Sequence, residues 1–522
     1  MSEATVRCPC RRAVRAVALF AASALAGCAV GPNYHTPSVR VPGQYVAVAG
    51  APQSTGAQPA VSSANLATWW TALADPELDS LVQRAVTGSP SVILALDRLQ
   101  AARIYEAGLT GTLLPAVDAS GAFGRGTGDD LTRGRAGEPL ISSDDTHGLT
   151  DVKSIGGFDA VWQIDIFGKV RREMEQARYN TQAAADARNA VLVSVIADVA
   201  QSYVDLRGLQ MQASVLQSAA GALQRGLYIV NQRYQRGITN ELDVMLAKRE
   251  LETVEAQIPI VNAEVSSGEY AIATLLGEYP EDLVRELAMP HMIPTVPTKI
   301  SPGLPLDLLR RRPDVEEAER EIGSANAGIG VATANLFPQV FATAAIGAQQ
   351  GVLGAATVGE HVWSAGPGVV WPLLDFGQLD ARVQIANVQT RAALENYKAT
   401  IQEAVRQVDS SVTRFGAAQQ SVKSLGEALV ASQQAVTLAT ERYQRGLTDY
   451  LNVVEAERAE YSIEGQYAET QAVVDDQFIQ LYRDLGGGWQ GFQQLPPIRR
   501  PLPAVVAIFR DTLARSNPLK GS

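Results

Sequence analysis

The chain has 522 residues, with 44 Lys+Arg against 55 Asp+Glu and a formal net charge of −11. Nucleic-acid binding needs dense positive charge against phosphates, so this balance excludes nucleic acid as a partner. At 46% hydrophobic and 19% charged residues, the chain is neither disordered by composition nor a multi-span helical membrane protein. His35, His147, His291 and His361 are scattered without His-Glu-x-x-His spacing, so no metal centre and no enzyme activity are expected.

The N-terminus opens with Arg7, Arg11, Arg12 and Arg15, followed by an apolar run from Ala16 to Ala26. That run is too short to span a bilayer and fits the core of a secretory signal. Leu25-Ala26-Gly27-Cys28 resembles the lipobox of bacterial lipoproteins, which makes Cys28 the expected lipid anchor and residues 1–27 the signal peptide. The competing reading is an ordinary signal with a chance cysteine. Cys8 and Cys10 leave with the signal, so no disulfide framework remains. Removal of residues 1–27 takes away four arginines and one glutamate and lowers the charge from −11 to −14. Ala29 stands where many inner-membrane lipoproteins carry Asp, which implies the outer membrane by resemblance.

Beyond an N-terminal extension (28–74), the chain is duplicated. Arg233-Tyr234-Gln235-Arg236-Gly237 recurs as Arg442-Tyr443-Gln444-Arg445-Gly446, an offset of 209 shared by Trp162/Trp371 and Gly168/Gly377. Pro90/Pro313, Leu113/Leu336 and Val117/Val340 keep an offset of 223. The units are 75–290 and 291–488, each reading helix, strand, loop, strand and long helical hairpin; 489–522 is a C-terminal extension.

Ala116 to Phe123 and Gly157 to Phe167 alternate with period two, as do Gln339 to Ala348 and Trp363 to Leu373. Phe158, Ala160, Trp162, Ile164 and Ile166 share one face. Asp118, Asp159 and Asp165 fall on the polar faces. Runs of about ten residues suit tilted membrane strands, and polar faces of such strands line water. Four strands of a soluble sandwich would show the same pattern. Four strands cannot close, and an open sheet edge is not tolerated in lipid. Three copies would supply twelve strands. A negative lining predicts cation preference.

The proline-free, Ala/Gln/Glu-rich stretches after each strand pair predict long helices. Lys169 to Arg236 as one helix would be about 100 Å long. A coiled-coil spacer is the bland alternative. Each long helix ends at Arg-Gly, where glycine can take the left-handed conformation that stops a helix. Gly486-Gly487-Gly488 lacks the Lys-Ser/Thr of a phosphate loop and reads as another helix end.

Several motifs together resemble TolC-type outer-membrane efflux lipoproteins of the NodT subgroup. They are the lipobox followed by Gly31-Pro32-Asn33-Tyr34, the run Asp307-Leu308-Leu309-Arg310-Arg311-Arg312-Pro313-Asp314, Leu336-Phe337-Pro338, Asp375-Phe376-Gly377 and the doubled Tyr-Gln-Arg-Gly turn. The resemblance implies a mixed α+β fold. It is a homotrimer with a 12-stranded transmembrane β-barrel, four strands per chain, continued by a periplasmic α-helical barrel. It implies no cofactor beyond the lipid on Cys28. The implied partners are a periplasmic adaptor and an inner-membrane resistance–nodulation–division pump, with the protein as exit duct for drugs or other toxic small molecules. A type I protein-secretion channel and a purely structural envelope lipoprotein are the competing functions. By resemblance, the tips Arg236, Gly237, Ile238, Arg445, Gly446 and Leu447 meet the adaptor. Leu451, Glu455 and Arg458, on one face of the helix past the second turn, close the periplasmic end, with Glu455–Arg458 contacts within or between protomers as the expected latch.

Overall fold

The computed structural model describes residues 29–49, 66–123, 151–294, 296–297, 311–353 and 356–492. Cys28, the signal peptide, the insertion at 124–150 and Asp307 to Arg310 lie outside the described residues. Among the described residues no helix is long and apolar enough to cross a membrane.

Each repeat begins with a helix and climbs into two strands. In the first, α1 (Pro76–Gly88) and α2 (Pro90–Leu109) lead to β1 (Ala116–Phe123) and β2 (Asp151–Ile164). Proline starts both helices, where its missing N–H costs nothing. Then α3 (Lys169–Gln235) runs for 67 residues, about 100 Å, and returns as α4 (Glu241–Glu255) and α5 (Ile258–Leu276), with α6 (Pro280–Leu287) closing the unit. The second repeat is α7 (Pro313–Ala334), β3 (Gln339–Leu353), β4 (Ala356–Val370), α8 (Gln378–Gln444, again 67 residues) and α9 (Leu451–Asp484). The return helix of the first repeat is broken before Pro259, whereas α9 runs unbroken for 34 residues. Pro259 has no N–H to give the preceding turn, which explains the break.

The four strands form one antiparallel sheet in the order β1-β2-β3-β4. Both edge strands have one side without a strand partner among the described residues. At mid-height, Tyr45, Leu66 and Trp69 pack with Leu192, Ile196, Tyr203, Phe415 and Phe478, so one apolar core joins both repeats.

An N-terminal strap lies along this frame. Val30 N donates to Phe167 O at 3.1 Å, and the buried Arg172 donates to the carbonyls of Val30 and Gly31 and to Asn33 Oδ1. Asn326 Nδ2 donates to Pro32 O at 3.1 Å, Tyr34 OH to Glu319 at 3.3 Å, and Ala47 N to Asp409 at 3.0 Å. A Cβ on Gly31 would stand 2.6 Å from Gly330 Cα, so the close crossing requires glycine at 31, and a Cβ on Gly330 would run into the Arg172 side chain at 2.7 Å.

A buried arginine ties the first repeat together. Arg207 donates to Glu77 at 2.5 Å, to Gln210 at 2.6 Å and to Met289 O at 2.9 Å, with its guanidinium over the Tyr203 ring. Removing one member of a buried pair leaves an uncompensated charge. Arg207→Met is therefore expected to destabilise the folded protein by about 3 kcal/mol or more. Glu77→Gln added to it should recover part of that loss in a denaturation midpoint. An unchanged midpoint for the single variant would show that the pair is not needed.

Candidate functional site

The sheet register sorts side chains into two faces. Ala119, Phe158, Ile346 and Trp363 stand opposite one another across all four strands, and so do Asp118, Asp159, Ala345 and Ser364 on the other face. Phe158, Ile346, Trp363 and Val369 are exposed although large and apolar. A sheet with such a face belongs in an apolar solvent, with its other face on water. Asp118 and Asp159 are direct neighbours, which concentrates negative charge on the polar face. At the foot of the sheet, Trp162 Nε1 donates to Leu113 O at 3.0 Å and Trp371 Nε1 to Leu336 O at 3.1 Å. Indoles with a satisfied N–H and exposed rings mark a membrane–water boundary.

Asp165 is not on the strand face expected of it. β2 ends at Ile164, and the Asp165 carboxylate accepts from Val170 N at 3.2 Å and Arg171 N at 3.1 Å. It caps α3 and satisfies N–H groups that a helix start leaves open. Asp375 does the same for α8 through Leu379 N at 2.6 Å. Ile166 likewise falls past the strand end.

The two hairpin tips are built alike. Gly237 and Gly446 have φ of 68° and 73°, and their N–H groups donate to Tyr234 O and Tyr443 O, both at 2.9 Å. Ile238 N and Leu447 N reach back to Arg233 O and Arg442 O at 2.9 Å, completing a Schellman-type stop. Arg236, Ile238, Arg445 and Leu447 point to solvent. The tips are held side by side by Val230, Val244, Tyr443, Tyr450 and Val454, with Arg233 over the Tyr443 ring at 4.6 Å.

At the expected gate, Leu451 begins α9 and is exposed, as is Glu455. The anticipated Glu455–Arg458 latch is not formed within the chain. Arg458 Nε lies 3.4 Å from Glu250 Oε1, and Arg249, its counterpart in the first repeat, lies 3.7 Å from the same carboxylate. Glu250 has a side chain only 4% exposed. A desolvated carboxylate outcompetes the solvated Glu455 for the nearby guanidinium, because charge–charge attraction strengthens as water is excluded. Glu457 lies in the same field. Burial first, then the charges of Glu460 and Glu250, push its carboxyl up to about 7. Glu250 and Glu457 were missed in the sequence because their repeat counterparts are Ala459 and Lys248, so neither recurs as a motif.

Further up α9, burial pushes Asp475 up to about 8. Asp476 is raised by burial and by the charge and hydrogen bond of Asp205 on α3. Both carboxyls keep their protons in the folded chain at pH values where the unfolded chain has lost them. Stability therefore falls as pH rises from about 4 to about 8 and levels off beyond. A thermal midpoint followed from pH 5 to 8.5 should decline, and Asp475→Asn should flatten the decline. A midpoint that rises over this range would contradict the assignment.

A family profile described as outer membrane efflux protein matches residues 81–278 and 304–487. Nodulation protein T of Rhizobium leguminosarum bv. trifolii is 27% identical over 436 residues, covering 83% of this chain and 89% of its own length. The solvent efflux pump outer membrane protein SrpC of Pseudomonas putida is 27% identical, covering 91% of this chain and 98% of its own. The structure of the outer-membrane channel OprN superposes with a TM-score of 0.76 at 31% identity, covering 89% of this chain and 100% of that one.

Proposed function

The chain belongs to the outer membrane efflux protein family, and on that premise we propose that it is the exit duct of a tripartite efflux pump for toxic small molecules. It is an outer-membrane channel that extends into the periplasm. The carrying observation is the join of a two-faced, open-edged sheet to two helices of 67 residues each. The sheet meets lipid on one face, and the helices reach far beyond a membrane's thickness. Such a duct does no bond chemistry; it lowers a transport barrier with a water-filled path, and the pump supplies energy. A homotrimer closes the barrel, and a periplasmic adaptor and an inner-membrane pump complete the assembly. Stepwise ion current from the purified protein in planar bilayers tests the channel. A protein that inserts but never conducts would sink it.

Cys28 carries the lipid. Ala29 packs against Gly168, at the corner where β2 meets α3. Cys28→Ser should abolish incorporation of a fatty-acid probe.

The lumen row selects cations. Asp118 and Asp159 face each other, and threefold repetition places three such pairs around the water path. A reversal potential in a salt gradient should report cation preference, and Asp118→Asn with Asp159→Asn should weaken it. Anion preference in the unaltered channel would overturn this placement.

The gate is the face bearing Leu451, Glu455 and Arg458, with Arg458 anchored on Glu250. Arg458→Ala and Glu250→Gln should each raise conductance several-fold and sensitise cells to large antibiotics such as vancomycin. Arg249→Ala should do less. Equal effects of Arg249→Ala and Arg458→Ala would remove the gate assignment. The tips Arg236–Ile238 and Arg445–Leu447 contact the adaptor. Charge reversal at Arg236 or Arg445 should cut export while trimer yield stays normal.

A further inference from the structure

The chain has six methionines and four histidines, and Met289, His291 and Met292 bring three of them into four consecutive positions. They lie in the link between the two repeats, in the segment Met289-Pro290-His291-Met292-Ile293-Pro294 that follows α6. Neither the duplicated motifs nor the duct accounts for them. Scattered histidines rule out a histidine-only centre, not one in which thioethers supply the other ligands.

The segment is fixed at its start. Leu283 and Leu287 of α6 are buried. Gln210 Nε2 donates to Leu287 O at 2.8 Å, and the buried Arg207 donates to Met289 O at 2.9 Å. The backbone of Met289 is thus tied to α3, yet the residue is 71% exposed. Met292 is 89% exposed, and the His291 side chain is half-exposed. Pro290 and Pro294 restrict the backbone between them, which lowers the entropy lost when side chains converge on a ligand.

His291 also has a carboxylate beside it. Its Nε2 stands 4.0 Å from Glu77 Oε2, about 1 Å beyond hydrogen-bond length. Glu77 is pinned by Arg207, and its Oε1 is buried without a hydrogen-bond partner. A small turn of the imidazole gives that carboxylate an N–H from Nε2 and leaves Nδ1 with a free lone pair. Ligating histidines are oriented in this way, the ring nitrogen away from the metal donating to a carboxylate.

Two thioethers and an imidazole are uncharged donors of the soft to borderline kind. Calcium and magnesium need several oxygens, and zinc sites are built from thiolate, imidazole and carboxylate. Among the described residues no group of three or more His, Cys, Asp or Glu could hold such an ion. Thioethers instead select Cu(I), and Ag(I) shares its charge and closed shell. We propose that Met289, His291 and Met292 form a surface site for a soft monovalent cation, Cu(I) or Ag(I). The site is separate from the gate face, the tips and the lumen row. It stands without the transport reading, since binding can be measured on a protein that never conducts.

Titration calorimetry with Ag(I) in chloride-free buffer, on the purified full-length protein, tests the site. Met289→Leu with Met292→Leu, a change that keeps side-chain volume, should remove one bound Ag(I) per chain. His291→Gln should weaken the same binding by about tenfold or more. Met211→Leu with Met245→Leu, at two other exposed methionines, should leave it unchanged. Silver-edge X-ray absorption should lose sulfur neighbours in the Met289/Met292 variant and not in that control. An unaltered Ag(I) stoichiometry in the Met289/Met292 variant, an equal loss in the control, or displacement of Ag(I) by excess Zn(II) overturns the proposal. If the double variant does not reach the membrane, His291→Gln decides alone, and an unchanged Ag(I) affinity removes the site.

Discussion

The backbone hydrogen bonds of the two outer strands govern the rest of the molecule. Within hydrocarbon no water can pair with a free N–H or C=O, so a spanning sheet must close on itself. Among the described residues this chain contributes four strands, with β1 and β4 each open on one side. Everything below the sheet inherits that incompleteness. α2 lies beneath one open edge and α8 beneath the other, and both carry exposed apolar residues such as Tyr105 and Ile385. A single copy thus leaves both sheet edges unpaired among its described residues.

Duplication also lets the two units diverge where identical parts would be a hindrance. The long helices match residue for residue in extent, because a tunnel wall needs equal staves. The return helices do not match: Pro259 breaks the first, and α9 is continuous. The charges diverge at the same level. Arg249 and Arg458 are counterparts, but the carboxylate they share, Glu250, exists in only one repeat. Glu250 is thus a buried anion flanked by two cations, and losing both would leave its charge uncompensated.

Much of this organisation is visible in the amino-acid order alone. The offsets align Ala116 with Gln339 and Lys169 with Gln378, and the structure starts strands and helices at those residues. The first long helix ends one residue before the expected Arg236, because that residue caps the helix rather than belonging to it. Alternation misplaced Asp165, since period two continues through a turn by chance while the backbone has already left the sheet. The Glu455–Arg458 pairing was inferred from spacing on one helix. Spacing carries no information about Glu250, which arrives from another helix with its water already removed. The strap was invisible for a related reason. Val30, Gly31 and Pro32 are held through their carbonyls and the Val30 N–H, backbone groups that carry no side-chain signal, and only Asn33 contributes a side-chain oxygen.

That strap has a consequence for the order of events in assembly. Its residues leave the cytoplasm first, yet their seats are Phe167, Arg172, Glu319, Asn326 and Asp409, more than 130 positions later in the chain. Contacts of such long sequence separation form only after the intervening segments have folded. The Gly31–Gly330 crossing in particular has no bed until α3 and α7 lie side by side. The segment first out of the cytoplasm is therefore the last one fixed, and it stays loose until the helices beneath it are in place.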